Sequence, residues 1–187
     1  MIENEAIKAM KTRFSCRAFD RNRPVEKEKI ETIIDAAKYA ASGHNQQGWY
    51  FTIITSDEGK ELLLKAAGTE PTEGFKKMMP DKKWPFPSDF FGAPVIIMIS
   101  GRTDVPWPLA GPYLAAGNIM NAASSLGLSA TWMTLYSLDL FRDEEAKSVR
   151  SKLIPDDYEL RATLFLGYPE KEPGARPPRK ENVERWI

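Results

Sequence analysis

"PVEKEKIETIIDAAKYAASGHNQQGWYFTIIT", residues 24–55, holds a helix, a polar loop and a strand in succession. Pro24 is a start signal, and Ile30, Ile33, Ile34, Ala37 and Ala41 recur at the spacing of one helix face. "SGHNQQG", 42–48, is polar throughout and reads as a loop. "WYFTIIT", 49–55, is aromatic and β-branched, the composition of a strand. The pattern repeats downstream. Ser56 or Asp57 can cap a helix over 57–68 that closes at Gly68. "APVIIMIS", 93–100, is a buried strand entered through Pro94. "LSATWMTLY", 128–136, and "YELRATLFLGYP", 158–169, read as the third and fourth strands. Residues 3–13 form a short amphipathic helix with Ile7 and Met10 on one face. A further helix spans 143–154, capped near Asp143 and followed by Pro155. Helices and strands alternate without repeat or linker, so one domain over 1–187 is expected, of α/β or α+β class.

Two features do not fit a solitary small chain. The helix over 109–127 is apolar on nearly every side, which calls for cover on both faces. A second subunit would supply it, because obligate dimers bury core-like surfaces. The tail, 170–187, ends on Trp186 and Ile187, and free tails rarely keep such residues unless they dock. Between the third helix and second strand, segment 69–92 carries four prolines with Phe75, Trp84, Phe86, Phe90 and Phe91. A segment this long is expected to be functional or mobile.

Composition narrows the chemistry. Lys plus Arg equals Asp plus Glu, 26 each among 187 residues. No global basic field favours nucleic acid, so any anion site is local. The one cysteine, Cys16, excludes an internal disulfide and agrees with a cytoplasmic location; the one histidine, His44, leaves zinc sites and a Ser-His-Asp triad little to work with. The start of the chain has no leader pattern, and the apolar stretch 108–128 is broken by Pro112, Asn118 and Asn121, so no membrane segment is expected.

Three polar clusters remain. Arg13, Ser15 and Arg17 stand at alternate positions, with Phe14 between them. The second is the loop Ala41, Ser42, Gly43, His44 and Asn45, with Gln47. The third is Arg176, Arg179 and Lys180 in the tail. Guanidinium forks and hydroxyls from separate elements are what a phosphate requires. Each cluster also has a plainer explanation: a solvated helix end, an ordinary connector, a basic tail.

Taken in this order, the clusters resemble the nitroreductase family of flavin mononucleotide (FMN) enzymes. Arg13, Ser15 and Arg17 match its R-x-S-x-R/K segment, and Ser42, Asn45, Gln47 and Trp49 its P-S-x-x-N-x-Q-P-W loop. "FFGAPVIIMIS", the Gly127, Leu128 and Trp132 join, and "LGYPEKEP" followed by "RPPRK" resemble its later segments. Ala41 stands where the family often has proline, and Gly48 replaces the proline before Trp49.

The resemblance implies an α+β fold: a three-layer sandwich, its central sheet mixed but mainly antiparallel and flanked by helices, in an intertwined homodimer. It implies FMN at the dimer interface, with NADH or NADPH as reductant and ping-pong hydride transfer through the flavin N5 to nitroaromatics, quinones or related small acceptors. No catalytic side chain is then required. Arg13, Ser15 and Arg179 are assigned to the phosphate and ribityl end and Arg17 to the N1–C2=O edge, with Phe14 and Arg176 as further cofactor-binding residues. Ser42, Gly43, His44 and Asn45 would reach the other subunit's flavin, Ala41 is a further cofactor-binding residue, and Thr131 and Trp132 would border the ring. Segment 69–92 would form a lid, with Phe75, Trp84 and Phe86 against the substrate; dimer packing is its other reading. Rival activities within this frame are a reductive dehalogenase, a flavin-fragmenting enzyme, and a flavin-binding protein without turnover.

Overall fold

The computed structural model describes residues 2–67, 73, 77, 89–105, 109–133, 144–174, 177–181 and 183–187. Its elements are α1 (Glu5–Thr12), α2 (Lys27–Lys38), β1 (Trp49–Ile54), α3 (Asp57–Ala67), β2 (Val95–Arg102), α4 (Ala110–Ser125), β3 (Ser129–Trp132) and β4 (Tyr158–Gly167). Single helical turns at Glu144–Lys147 and Arg150–Leu153 precede β4. The strands form one sheet in the order β1-β2-β4-β3. Every pairing among them is antiparallel. β1 and β3 are therefore the sheet edges, and β2 and β4 its buried centre.

The continuous apolar run of β2 follows from helices on both faces. Val95, Ile97 and Ile99 point to one side, where Ile33 and Ala37 of α2 meet Ala115, Ala116, Ile119 and Ala123 of α4. Ile96 and Met98 point to the other, against Leu63, Ala66 and Ala67 of α3 and Val149 and Leu153. Burying each large aliphatic side chain stabilises the fold by about 1.5–3 kcal/mol. The result is the expected α+β three-layer arrangement.

Local chemistry sets the boundaries. The Asn4 side chain accepts from the Ile7 N–H at 2.9 Å and starts α1. Ser56, rather than Asp57, caps α3, its Oγ accepting from the Gly59 N–H at 3.1 Å. Helix α2 begins at Lys27, with Glu26 as its N-cap, so Pro24 precedes the helix instead of opening it. The helix expected over 143–154 is two turns separated at Ser148 and Val149, where Val149 adopts φ −102° and ψ −3°.

Among the described residues, helix α4 is covered on one side. Pro112, Ala115, Ala116, Ile119 and Ala123 are buried. Leu114 is 50% exposed and Tyr113 42%, so within one chain the second face stays open. Of segment 69–92, Phe90 belongs to the core, meeting the Phe165 ring edge-on at 5.5 Å. Phe75, Trp84 and Phe86 lie outside the described residues. No helix among the described residues is long and apolar enough to cross a membrane.

Candidate functional site

The chain leaves α1 at Arg13 and runs beside β3. Phe14 and Cys16 pack inward on the core, while Arg13 is half-buried and Ser15 and Arg17 are exposed. Alternation thus directs the two guanidinium groups and the hydroxyl away from the core. Two side chains of β3 hold this segment by its backbone: Ser129 Oγ donates to the Phe14 carbonyl at 2.9 Å, and Thr131 Oγ1 donates to the Cys16 carbonyl. Just beyond, Phe19 bridges to Pro169, Asp20 N–H donates to the Tyr168 carbonyl at 2.9 Å, and Glu170 N–H donates to the Ala18 carbonyl at 3.0 Å.

This clip brings the start of the tail alongside the first cluster. Phe14, Ser15, Cys16, Arg17 and Ala18 form one wall of a groove of about 520 Å³, and Glu170–Gly174 with Pro177 form the other. Arg179 is exposed and only two residues past Pro177, so its Cα lies within about 7 Å of that wall. Arg176 lies outside the described residues. Among the described residues, Arg13 and Arg17 appear in no ion pair, while most other arginines are committed: Arg21 to Asp89, Arg102 to Asp104, Arg150 to Asp156 and Arg161 to Glu159. Glu170, Lys171 and Glu172 line the opposite wall, and Arg17 is the cation on the 14–18 side.

Burial pushes the Cys16 thiol above its ordinary value, and the Glu170 carboxylate adds to the effect although the Ala18 backbone opposes it. The thiol is therefore protonated and inert at neutral pH, and its Sγ donates to the Ala18 carbonyl at 3.0 Å.

The second cluster sits elsewhere. Ser42 is half-buried, and Ala41, Gly43, His44 and Asn45 are exposed. Residues Gly43–Asn45 make a single 3-10 turn. The backbone is left-handed at His44 (φ 49°), Asn45 (φ 53°) and Gln47 (φ 48°), each at a cost of about 1 kcal/mol. Internal bonds offset this: Ser42 Oγ accepts from the Gln47 N–H at 3.0 Å, and Asn45 Oδ1 from Gln47 Nε2 at 3.2 Å. The loop rests on the start of α4, where a Cβ on Gly111 would lie 3.4 Å from both Ser42 Cβ and the Trp49 ring. None of Ala41, Ser42, Gly43, His44 and Asn45 lines the 13–17 groove.

Thr131 is 1% exposed, with its hydroxyl directed at Cys16 rather than at solvent. Trp132 is half-buried and tilts against Tyr113 of α4, ring centroids 5.7 Å apart. Sequence reasoning missed Ser129. Its acceptor is 115 residues away, and no local pattern reports such a bond.

The fold is a three-layer α+β sandwich with a groove lined by Ser15 and Arg17 beside a sheet edge. The nitroreductase family model matches residues 10–168, and the chain belongs to that family. A candidate NADH dehydrogenase/NAD(P)H nitroreductase of Methanothermobacter thermautotrophicus is 29% identical, over 97% of this chain and 88% of its own length. Among solved structures, a nitroreductase with bound FMN from Bacteroides fragilis superposes with a TM-score of 0.82 at 22% identity, covering 99% of this chain and 100% of the other. Iodotyrosine deiodinase bound to FMN and 3-iodo-L-tyrosine superposes with a TM-score of 0.74 at 21% identity, covering 97% and 98% of the two chains. At these identities the structural likenesses establish the shared fold.

Proposed function

We propose that this chain is an FMN-dependent oxidoreductase that takes reducing equivalents from NADH or NADPH and passes them to nitroaromatics, quinones or related small acceptors. The observation that carries this reading is the exposed Ser15 and Arg17 on one wall of an open groove, with half-buried Arg13 next in the chain to that wall and neither guanidinium in an ion pair among the described residues. These donors fit a phosphorylated ligand, and family membership supplies the class of ligand. FMN bound here would provide the two-electron chemistry, accepting from the nicotinamide and then donating to the acceptor.

The chain's own residues do the rest. Arg13 and Ser15, with Arg179 from the tail, hold the phosphate and ribityl end by charge-assisted bonds. Arg17 lies along the pyrimidine edge of the ring, where a fixed cation favours the added negative charge of reduction. Trp132 and Tyr113 offer an aromatic border. Because residues 41–45 lie off this groove, they serve the site of a second copy, and the working unit is a homodimer. The open face of α4, with Tyr113 and Leu114, supports that assembly.

The tail has a matching seat. Val25, Ile30, Ile34 and Ile53 line a groove of about 580 Å³ between α2 and the unpaired edge of β1. Val183, Trp186 and Ile187 are exposed in one chain, Trp186 at 90%. A partner's tail laid along that edge would cover both apolar surfaces.

Purified protein titrated with FMN, then anaerobically with each nicotinamide, tests the reading. The expected result is flavin uptake, bleaching by NADH or NADPH, and recovery of colour on adding a quinone. Protein that takes up no FMN overturns the proposal. Bound flavin that neither nicotinamide bleaches identifies a binding protein without turnover. Sedimentation of the wild type against Trp186→Ala tests the dimer, expected to weaken in the variant.

A further inference from the structure

We infer that Ser129 and Thr131 are positioning residues for the anion-binding segment, acting through the backbone of Phe14 and Cys16; this rests on the FMN reading above. Three observations support it. The spacing is matched: hydroxyls at i and i+2 of β3 meet carbonyls at i and i+2 of the segment, 14 and 16. The hydroxyls stand where packing alone calls for apolar side chains, since Ser129 is 3% exposed and Thr131 1%, on the sheet face that carries Met98 and Phe165. Finally, among the described residues β3 is a sheet edge that pairs with β4 alone. Among the described residues no backbone–backbone bond joins β3 to residues 13–17, and the two hydroxyls link them.

This link has a directional consequence. Fixing the carbonyls of Phe14 and Cys16 fixes the intervening and flanking residues: Ser15 and Arg17, which line the groove, and Arg13 beside them. The bonds are shielded from water, which strengthens them and makes a lost donor costly to the carbonyl left behind. A threonine serving only to fill space would be replaced by valine without effect on the ligand.

The test titrates FMN into purified wild type, Thr131→Val, Thr131→Ser and Ser129→Ala, following quenching of flavin fluorescence, and measures the midpoint potential of the bound flavin. Thr131→Val is expected to weaken FMN binding roughly tenfold. It is also expected to lower the potential of the bound flavin, because a displaced Arg17 favours the reduced form less. Thr131→Ser restores the donor and should lie within about twofold of wild type. Ser129→Ala should weaken binding several-fold, and it decides the matter if Thr131→Val does not fold. Wild-type affinity and potential in both Thr131→Val and Ser129→Ala overturn the inference. So does Thr131→Ser as weak as Thr131→Val, which would assign the effect to packing. A wild type that takes up no FMN overturns the functional reading instead.

Discussion

Lys29 donates its Nζ to the Tyr168 hydroxyl at 2.7 Å and to the Leu126 carbonyl at 3.2 Å. One ammonium thereby joins α2, the C-terminal end of α4 and the exit of β4, and its charge suits a helix C-terminus. The Tyr168 hydroxyl in turn donates to the Glu26 carboxylate at 2.8 Å, and the Arg23 guanidinium lies 3.3 Å over the ring centroid. Tyr168→Phe keeps the stack and removes the hydroxyl. Urea unfolding should show a loss of about 1 kcal/mol, with the slope unchanged.

Acid should weaken the same cluster. The Glu26 carboxyl is held below the usual carboxylate range by its own backbone N–H and then by the Tyr168 hydroxyl, against slight burial, with Lys29 and Arg23 assisting. A folded-state pKa below the unfolded one contributes stability above the unfolded value, about 4.3 for glutamate. That contribution is lost as pH falls through the folded value. Melting temperatures of wild type and Glu26→Gln should therefore differ most near neutrality and converge below about pH 4.

Cys16 should resist thiol reagents. It is 5% exposed, and burial raises its pKa. An aromatic disulfide reagent should label folded protein slowly and urea-unfolded protein at the rate of a free thiol. Rapid labelling of the folded state would contradict the packing of the 13–17 segment.

Two glycines at positive φ should differ in their tolerance of alanine. At Gly127, φ 75°, nothing lies within 4 Å of an added Cβ, so Gly127→Ala carries the backbone cost alone, about 1–2 kcal/mol. At Gly92, φ 80°, the Cβ would also lie 2.8 Å from Arg21 Cγ and 3.0 Å from the Phe19 carbonyl oxygen. Gly92→Ala should be clearly the more destabilising of the two in parallel melts.

Much of this architecture is legible in the chain. The unbroken run "VIIMIS" announces a strand buried on both faces, and the alternation of Arg13, Phe14, Ser15, Cys16 and Arg17 already separates ligand side from core side. Gly127 marks the end of α4, where Leu128 N–H donates to the Ala123 carbonyl at 2.9 Å. What escapes reading is set by distant partners. "DEEAKSVRSKLI" suits one helix locally, but Arg150 pairs with Asp156 and donates to the Tyr158 carbonyl, and the helix breaks at Ser148 and Val149. Phe90 and Phe91 adopt φ 53° and 56°, values that aromatic residues ordinarily avoid, so nothing in their identity foretells a turn that drives Phe90 into the core. Ser129 escapes for the same reason.

The strand order β1-β2-β4-β3 has a consequence for synthesis. A nascent chain stopped before Tyr158 owns both sheet edges and one central strand, yet β3 has nothing to pair with until β4 leaves the ribosome. The hydroxyl tether on the N-terminal arginines must wait with it. The sheet therefore cannot close until β4 is made, and pairing between strands so distant in sequence is slow to form.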